Sequence, residues 1–165
     1  MSHPLVDVAV RVHHLPRQLN LFENAGPLLE RLRAEEPFAD GAAMLARARE
    51  ILNELSQAEQ IAVINAHPRI GERPNKVSAA SFKEQGYQHD TTPPEVFLRL
   101  ASLNDEYEQK FGFRFVVFVN RRPKEAIVPE LEARLRGSRD EERRIALREI
   151  LAIAEDRLKR EGKAR

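Results

Sequence analysis

The chain has no cysteine among its 165 residues, which excludes a disulfide framework, a thiol nucleophile and a thiolate-bound metal. Tryptophan is missing too, and the seven glycines are scattered. No glycine-rich loop is therefore available to cradle a phosphate, and no Gly-x-Ser-x-Gly elbow to present a nucleophilic serine. No apolar run approaches the ~20 residues that span a bilayer; the stretch from Phe115 to Val119 is far shorter. The opening Met-Ser-His-Pro-Leu lacks a charged region followed by an apolar core, so a secretory signal is not expected and a cytoplasmic setting is. Neither sign of charge dominates, with 27 basic residues facing 26 acidic ones for a net +1. A nucleic-acid binder concentrates a basic excess on one face. Here arginines alternate with acids, as in Glu141-Glu142-Arg143-Arg144, the pattern of a solvated helix face. Neither nucleic acid nor a membrane is expected as a partner.

What is present is an ordinary globular composition, 42% hydrophobic and 32% charged, which argues against disorder. The length suits one domain over residues 1–165, with residues 1–14 expected to form an N-terminal segment of low order. Asp40 is placed to cap a helix whose stripe is Met44, Leu45, Ala48, Ile51, Leu52 and Leu55. Ser56 and Glu59 form a capping-box pattern for a short helix through Ile61, Val63 and Ile64, which Pro68 ends. Thr92 and Glu95 repeat the box, with Pro93 in the first turn. The helix they open buries Phe97, Leu100, Leu103, Tyr107 and Phe111 and stops at Gly112. Phe113 to Val119 reads as a buried extended connection, since a lone strand has no partner. Lys124 to Arg136 is helical again, bent at Pro129. Ser138 and Glu141 start a final long helix with Leu147, Ile150, Leu151, Ala154 and Leu158 on its apolar face. The fold class is all-α, a compact single-domain helical bundle with no doubly wound sheet.

Three places carry candidate chemistry. His67 follows Val63 and Ile64 by four and three positions, so its imidazole projects along the inward face of a helix end. A half-buried histidine is a natural general acid or base; a core histidine bonded to a backbone carbonyl has the same signature. Ser81, Glu84 and Gln85 sit at i, i+3 and i+4, placing a hydroxyl, a carboxylate and an amide on one face. Ser-x-x-Glu is equally a capping box. Arg157 lies at the edge of the last apolar stripe, where it either needs a carboxylate from protein or ligand or snorkels to water. The other histidines show no helical metal-site spacing, so no metal is expected.

The order of motifs then becomes informative. Ala66-His67-Pro68, Ser81-x-x-Glu84-Gln85, Leu103-Asn104-x-x-Tyr107 and Phe111-Gly112-Phe113-x-Phe115-Val116 follow one another, continued by Glu132-Ala133-Arg134-Leu135 and Arg157-Leu158. Together, over the chain from about residue 15 onward, they resemble the 2-oxo-4-hydroxy-4-carboxy-5-ureidoimidazoline (OHCU) decarboxylase family. The resemblance implies an all-α fold of that family's own type, a homodimer, and no metal or organic cofactor. The implied activity removes the C4 carboxylate of OHCU, a small ureide of uric acid degradation, to give (S)-allantoin. By motif position, His67 would be the catalytic acid, Glu84 its partner and Arg157 the arginine that contacts substrate. Pro68, Ser81, Phe82, Lys83, Glu84, Gln85, Phe115, Val116, Val117, Phe118 and Val119 would form the substrate wall. On this reading Glu84 orients His67 and raises its pKa by favouring the charged form.

Two stretches depart from the family pattern. Arg69-Ile70-Gly71-Glu72 stands where many relatives have an acidic residue and then Leu-Ala-Gly, so Arg69 is expected to alter substrate preference or pair with Glu84. Gly86-Tyr87-Gln88-His89 is not the usual run of small residues. The closing Gly-Lys-Ala-Arg is not a Ser-Lys-Leu peroxisomal address, in keeping with a cytoplasmic setting. Two alternatives stay open: another ureide-processing enzyme, hydrolysing or isomerising its substrate, and a non-catalytic helical interaction module. The second predicts no cavity shared by residues 67, 84 and 157.

Overall fold

The computed structural model of the protein describes residues 21–23, 25–71 and 91–163. Six helices and no strand occur among them: α1 (Gly26–Ala34), α2 (Gly41–Glu54), α3 (Gln57–Asn65), α4 (Pro94–Phe111), α5 (Lys124–Arg134) and α6 (Arg139–Lys163). The expected segment 1–14 and the Ser81-to-Gln85 cluster lie outside the described residues.

Local chemistry explains most boundaries. Asp40 accepts from the Ala43 N–H at 2.8 Å and starts α2. The capping box of α3 is complete, because Ser56 Oγ accepts from Glu59 and the Glu59 carboxylate accepts from Ser56. Ser138 Oγ accepts from the Glu141 N–H at the head of α6. Gly112, at φ 79°, ends α4 in the left-handed conformation that glycine adopts without steric cost. Two expectations need correction. The cap of α4 is Pro93, which has no side-chain acceptor, so the Thr92–Glu95 box does not form. Helix α5 stops at Arg134, two residues short of the expected end, although Pro129 does lie inside it.

Each helix turns its stripe to a shared interior. Helix α1 packs on α2 and α3, α4 packs on α5, and the long α6 touches α2, α3 and α4. One apolar cluster runs through all of them, from Leu21 and Leu28 through Met44, Ile51, Ile64, Leu100 and Tyr107 to Ile150 and Ala154. Phe97, expected in that core, is only half-buried. Residues 113–119 form neither helix nor strand, and Phe113, Phe115, Val116, Val117 and Val119 are buried.

A segment without regular structure leaves its peptide groups needing partners. Arg134 supplies one, donating through Nη1 to the Val116 carbonyl at 2.7 Å. The same guanidinium donates through Nε to Glu142 at 2.7 Å, and Tyr107 donates its hydroxyl to that carboxylate at 2.8 Å. Arg134 also lies over the Phe115 ring, 4.5 Å from its centroid. Tyr107 stands edge-on to Phe113 and Phe115, and burial pushes its hydroxyl pKa up. This buried network fixes the 113–119 segment against α4 and α6. Replacing Glu142 by alanine leaves the Arg134 charge buried without its partner, an expected loss of about 3–5 kcal/mol. Chemical denaturation of Glu142→Ala measures it; a loss below about 1 kcal/mol would show that the pair behaves like an exposed one.

Candidate active site

His67 is set by the chain immediately around it. It follows the last turn of α3, its own N–H donating to Ile64 O at 3.1 Å, and Pro68 turns the backbone away. Arg114 then clamps this end of α3. Its backbone N–H donates to Asn65 Oδ1 at 3.0 Å, and its Nη1 donates to the carbonyls of Asn65 and His67 at 3.0 and 3.1 Å. Buried Asn104 donates to Ile70 O at 3.2 Å and holds the following turn. These contacts bring the 67–70 loop beside the 113–119 segment.

A single pocket receives the two. It is lined by His67, Pro68 and Ile70, by residues 115–120, and by Ile153, Asp156, Arg157 and Arg160 of α6. His67 and Arg157 therefore face one cavity, and Glu84, the third residue expected to share it, lies outside the described residues. Arg157 is buried and has protein acceptors: Nη1 donates to Leu21 O at 3.2 Å and Nη2 to Glu23 Oε1 at 2.9 Å. The carboxylate that a buried arginine demands is thus Glu23. Asp156 and Arg160 approach each other at 2.8 Å along α6. Asn120 and Arg121 take positive φ, 50° and 61°, where the chain turns out of the pocket toward α5. Arg122 braces that turn by donating to the carbonyls of Phe118 and Val119 at 2.7 and 2.9 Å.

The electrostatics of His67 are dominated by burial. With the residue 4% exposed, loss of water disfavours the imidazolium and brings its pKa down to about 4. Arg157 pushes the same way, while Glu23 and the Val63 carbonyl oppose. Nδ1 lies 3.3 Å from Val63 O. A carbonyl can only accept, so the neutral ring places its proton on Nδ1 and leaves the lone pair on Nε2. Desolvation outweighs the Glu23 carboxylate, and the expected contribution of Glu84 lies outside the described residues.

The structure brings together His67, Pro68, Phe115, Val116, Val117, Phe118, Val119 and Arg157. Ser81, Phe82, Lys83, Glu84 and Gln85 lie outside the described residues. Arg69 is directed elsewhere: it donates to Asp105 at 2.9 Å and to Glu108 on α4. The expected pairing with Glu84 involves a residue outside the described ones. Glu23, Asn120, Asp156 and Arg160 were not singled out from sequence; only Glu23 had a signal, the buried arginine's need for a counter-charge. Among the described residues no group of three or more His, Asp or Glu side chains could hold a metal ion.

Comparison with known proteins gives a consistent picture. The profile of the OHCU decarboxylase family matches residues 16–159. The 2-oxo-4-hydroxy-4-carboxy-5-ureidoimidazoline decarboxylase of Haloferax volcanii is 29% identical over 138 residues, covering 84% of this chain and 82% of that protein. A uric acid degradation bifunctional protein of Bacillus sp. strain TB-90 is 32% identical over 149 residues, 86% of this chain and 29% of the larger protein. The crystal structure of an OHCU decarboxylase in the presence of (S)-allantoin superposes with a TM-score of 0.67 at 24% identity, over 82% of this chain and 90% of that one. That likeness shows a common helical fold. With the family profile matched across most of its length, the chain belongs to the OHCU decarboxylase family.

Proposed function

We propose that this protein is a carboxy-lyase that converts OHCU to (S)-allantoin in uric acid degradation, without a cofactor. Family membership supports the reaction, and the observation that supports the site is His67 and Arg157 lining one pocket with residues 115–119. The proposal treats the chain as one catalytic domain, and keeps the homodimer implied by the resemblance and the cytoplasmic setting expected from the sequence.

The chemistry asks for a place to hold an anion and a group to move one proton. In OHCU, C4 bears a hydroxyl and a carboxylate, and C5 is doubly bonded to a ring nitrogen. Breaking the C4–carboxylate bond releases CO₂ and sends the electron pair through C5 onto that nitrogen, which takes up the proton that the reaction consumes. The resulting C4=C5 enol then loses its hydroxyl proton to become the C4 carbonyl, while C5 gains a hydrogen. Neutral His67 suits this second stage, with Nε2 free to accept the hydroxyl proton and return it to one face of C5. Arg157 holds substrate oxygens, and the enolate oxygen left as the hydroxyl proton departs is the anion that pairs with the imidazolium formed in the same step. The 115–119 segment closes one side of the flat ring. Ser81, Glu84 and Gln85 complete the wall in this proposal, with Glu84 orienting the imidazole.

A positioned proton-transfer group contributes roughly 10²–10⁴-fold. His67→Ala is therefore expected to lower kcat/KM on freshly prepared OHCU by about that factor, with (S)-allantoin formed by the parent and the slow racemic background left in the variant. Chiral chromatography of the product decides, and near-parental turnover in His67→Ala would overturn the assignment. Wild-type chain giving no acceleration over the spontaneous reaction would reject decarboxylation itself.

The depressed histidine also fixes the sign of a pH effect. Its folded value, about 4, lies below the ordinary 6.5, so between these limits the unfolded chain binds the additional proton. Stability conferred by keeping the ring neutral is present above 6.5 and is lost as pH falls toward 4, by up to about 3 kcal/mol. Denaturation of wild type and His67→Asn across that window checks it, with the variant expected to show the flatter profile. Parallel profiles would mean that His67 titrates normally.

A further inference from the structure

We propose that Glu23 is a positioning residue of the decarboxylation site, holding the Arg157 guanidinium in the orientation that meets substrate and balancing its charge beside His67. This rests on the reading of His67 and Arg157 given above and adds a residue from the opposite end of the chain.

The geometry is specific. Arg157 donates from both terminal nitrogens, to Leu21 O at 3.2 Å and to Glu23 Oε1 at 2.9 Å. Two acceptors on one short segment set the plane of the guanidinium, since its five N–H groups form a rigid fork. The Arg157 and Glu23 side chains are 8% and 11% exposed, so the pair lies where charge is weakly screened and loss of one member leaves the other uncompensated. The pair also lies within electrostatic reach of the imidazole, and its two members act on it with opposite sign. Without Glu23, the arginine that grips the substrate would disfavour the protonated histidine that the chemistry needs.

Among the described residues, the other charged groups near His67 are engaged elsewhere. Asp156 and Arg160 face the pocket as a pair at 2.8 Å. Arg114 donates to the His67 carbonyl and lies 3.7 Å from Glu108. With Glu23 and Arg157 offsetting each other, the imidazolium formed during the transfer does not face the arginine's positive charge uncompensated. The same contact therefore orients one group and sets the charge felt by another.

The test compares Glu23→Gln and Glu23→Asp in the full chain. Readouts are steady-state kinetics on freshly prepared OHCU, NMR titration of the isotope-labelled His67 ring, and circular dichroism to follow folding. Glu23→Gln keeps the shape and removes the charge. It is expected to lower kcat/KM by about 10–100-fold and to move the His67 titration further down by about half a pH unit or more. Glu23→Asp keeps the charge and shortens the reach. It is expected to leave the titration in place and to raise KM with a smaller loss in kcat/KM. Wild-type kinetics in Glu23→Gln overturn the proposal, as do equal losses in both variants with an unmoved titration, the signature of a merely structural role. Should Glu23→Gln fail to fold, Glu23→Asp decides alone, and wild-type kinetics in it refute positioning. His67→Asn and Arg157→Lys run alongside: if they retain turnover the underlying site reading fails, whereas if they lose it while Glu23→Gln does not, only the role of Glu23 falls.

Discussion

The buried contact between Arg134 and Glu142 is the constraint on which the rest of this structure depends. A chain of helices alone makes stripes and caps, but it does not make a wall for a planar ligand. The wall here is the 113–119 segment, which has neither a helical ladder nor a strand partner. Its Val116 carbonyl is satisfied by an arginine that is itself held by Glu142 and stacked on Phe115. Buried ion pairs are rarely efficient sources of stability, since desolvation offsets most of their attraction. Their value in this fold is geometric: one guanidinium fixes a backbone carbonyl, an aromatic ring and a helix in a single arrangement.

The same economy of water governs the reactive end of the pocket. Burial makes His67 neutral, and the Val63 carbonyl selects the tautomer with its lone pair on Nε2. A neutral imidazole in a poorly hydrated site can take a proton and give it back once an anion is present, which a surface histidine does with far less control. The clamp from Arg114 to the Asn65 and His67 carbonyls holds the histidine's backbone against the wall. Positioning of the proton donor over one face of the ring follows from that coupling.

Much of the fold was legible because its signals are local. Asp40 and the Ser56–Glu59 pair cap helices through contacts three residues apart, and such contacts appear in sequence as spacing. Thr92 and Glu95 have the same spacing, yet Pro93 occupies the cap, so an identical pattern gives a different boundary. In the site, inward placement of His67 and Arg157 could be read from their helical registers. Glu23 could not, because it is tied to Arg157 across 134 positions and no periodicity spans such a separation. The direction of the histidine shift was also hidden. Sequence can nominate charged neighbours, but the dehydration that lowers the pKa of His67 exists only in the packed chain. Arg69 illustrates the same limit, its partners Asp105 and Glu108 lying on a helix some 36 and 39 positions away.

The tether from Arg157 to the Leu21 carbonyl joins places 136 positions apart. Changes at Glu23 and at Arg157 therefore act on one shared contact, and their effects on stability combine non-additively although the two residues lie far apart in the chain.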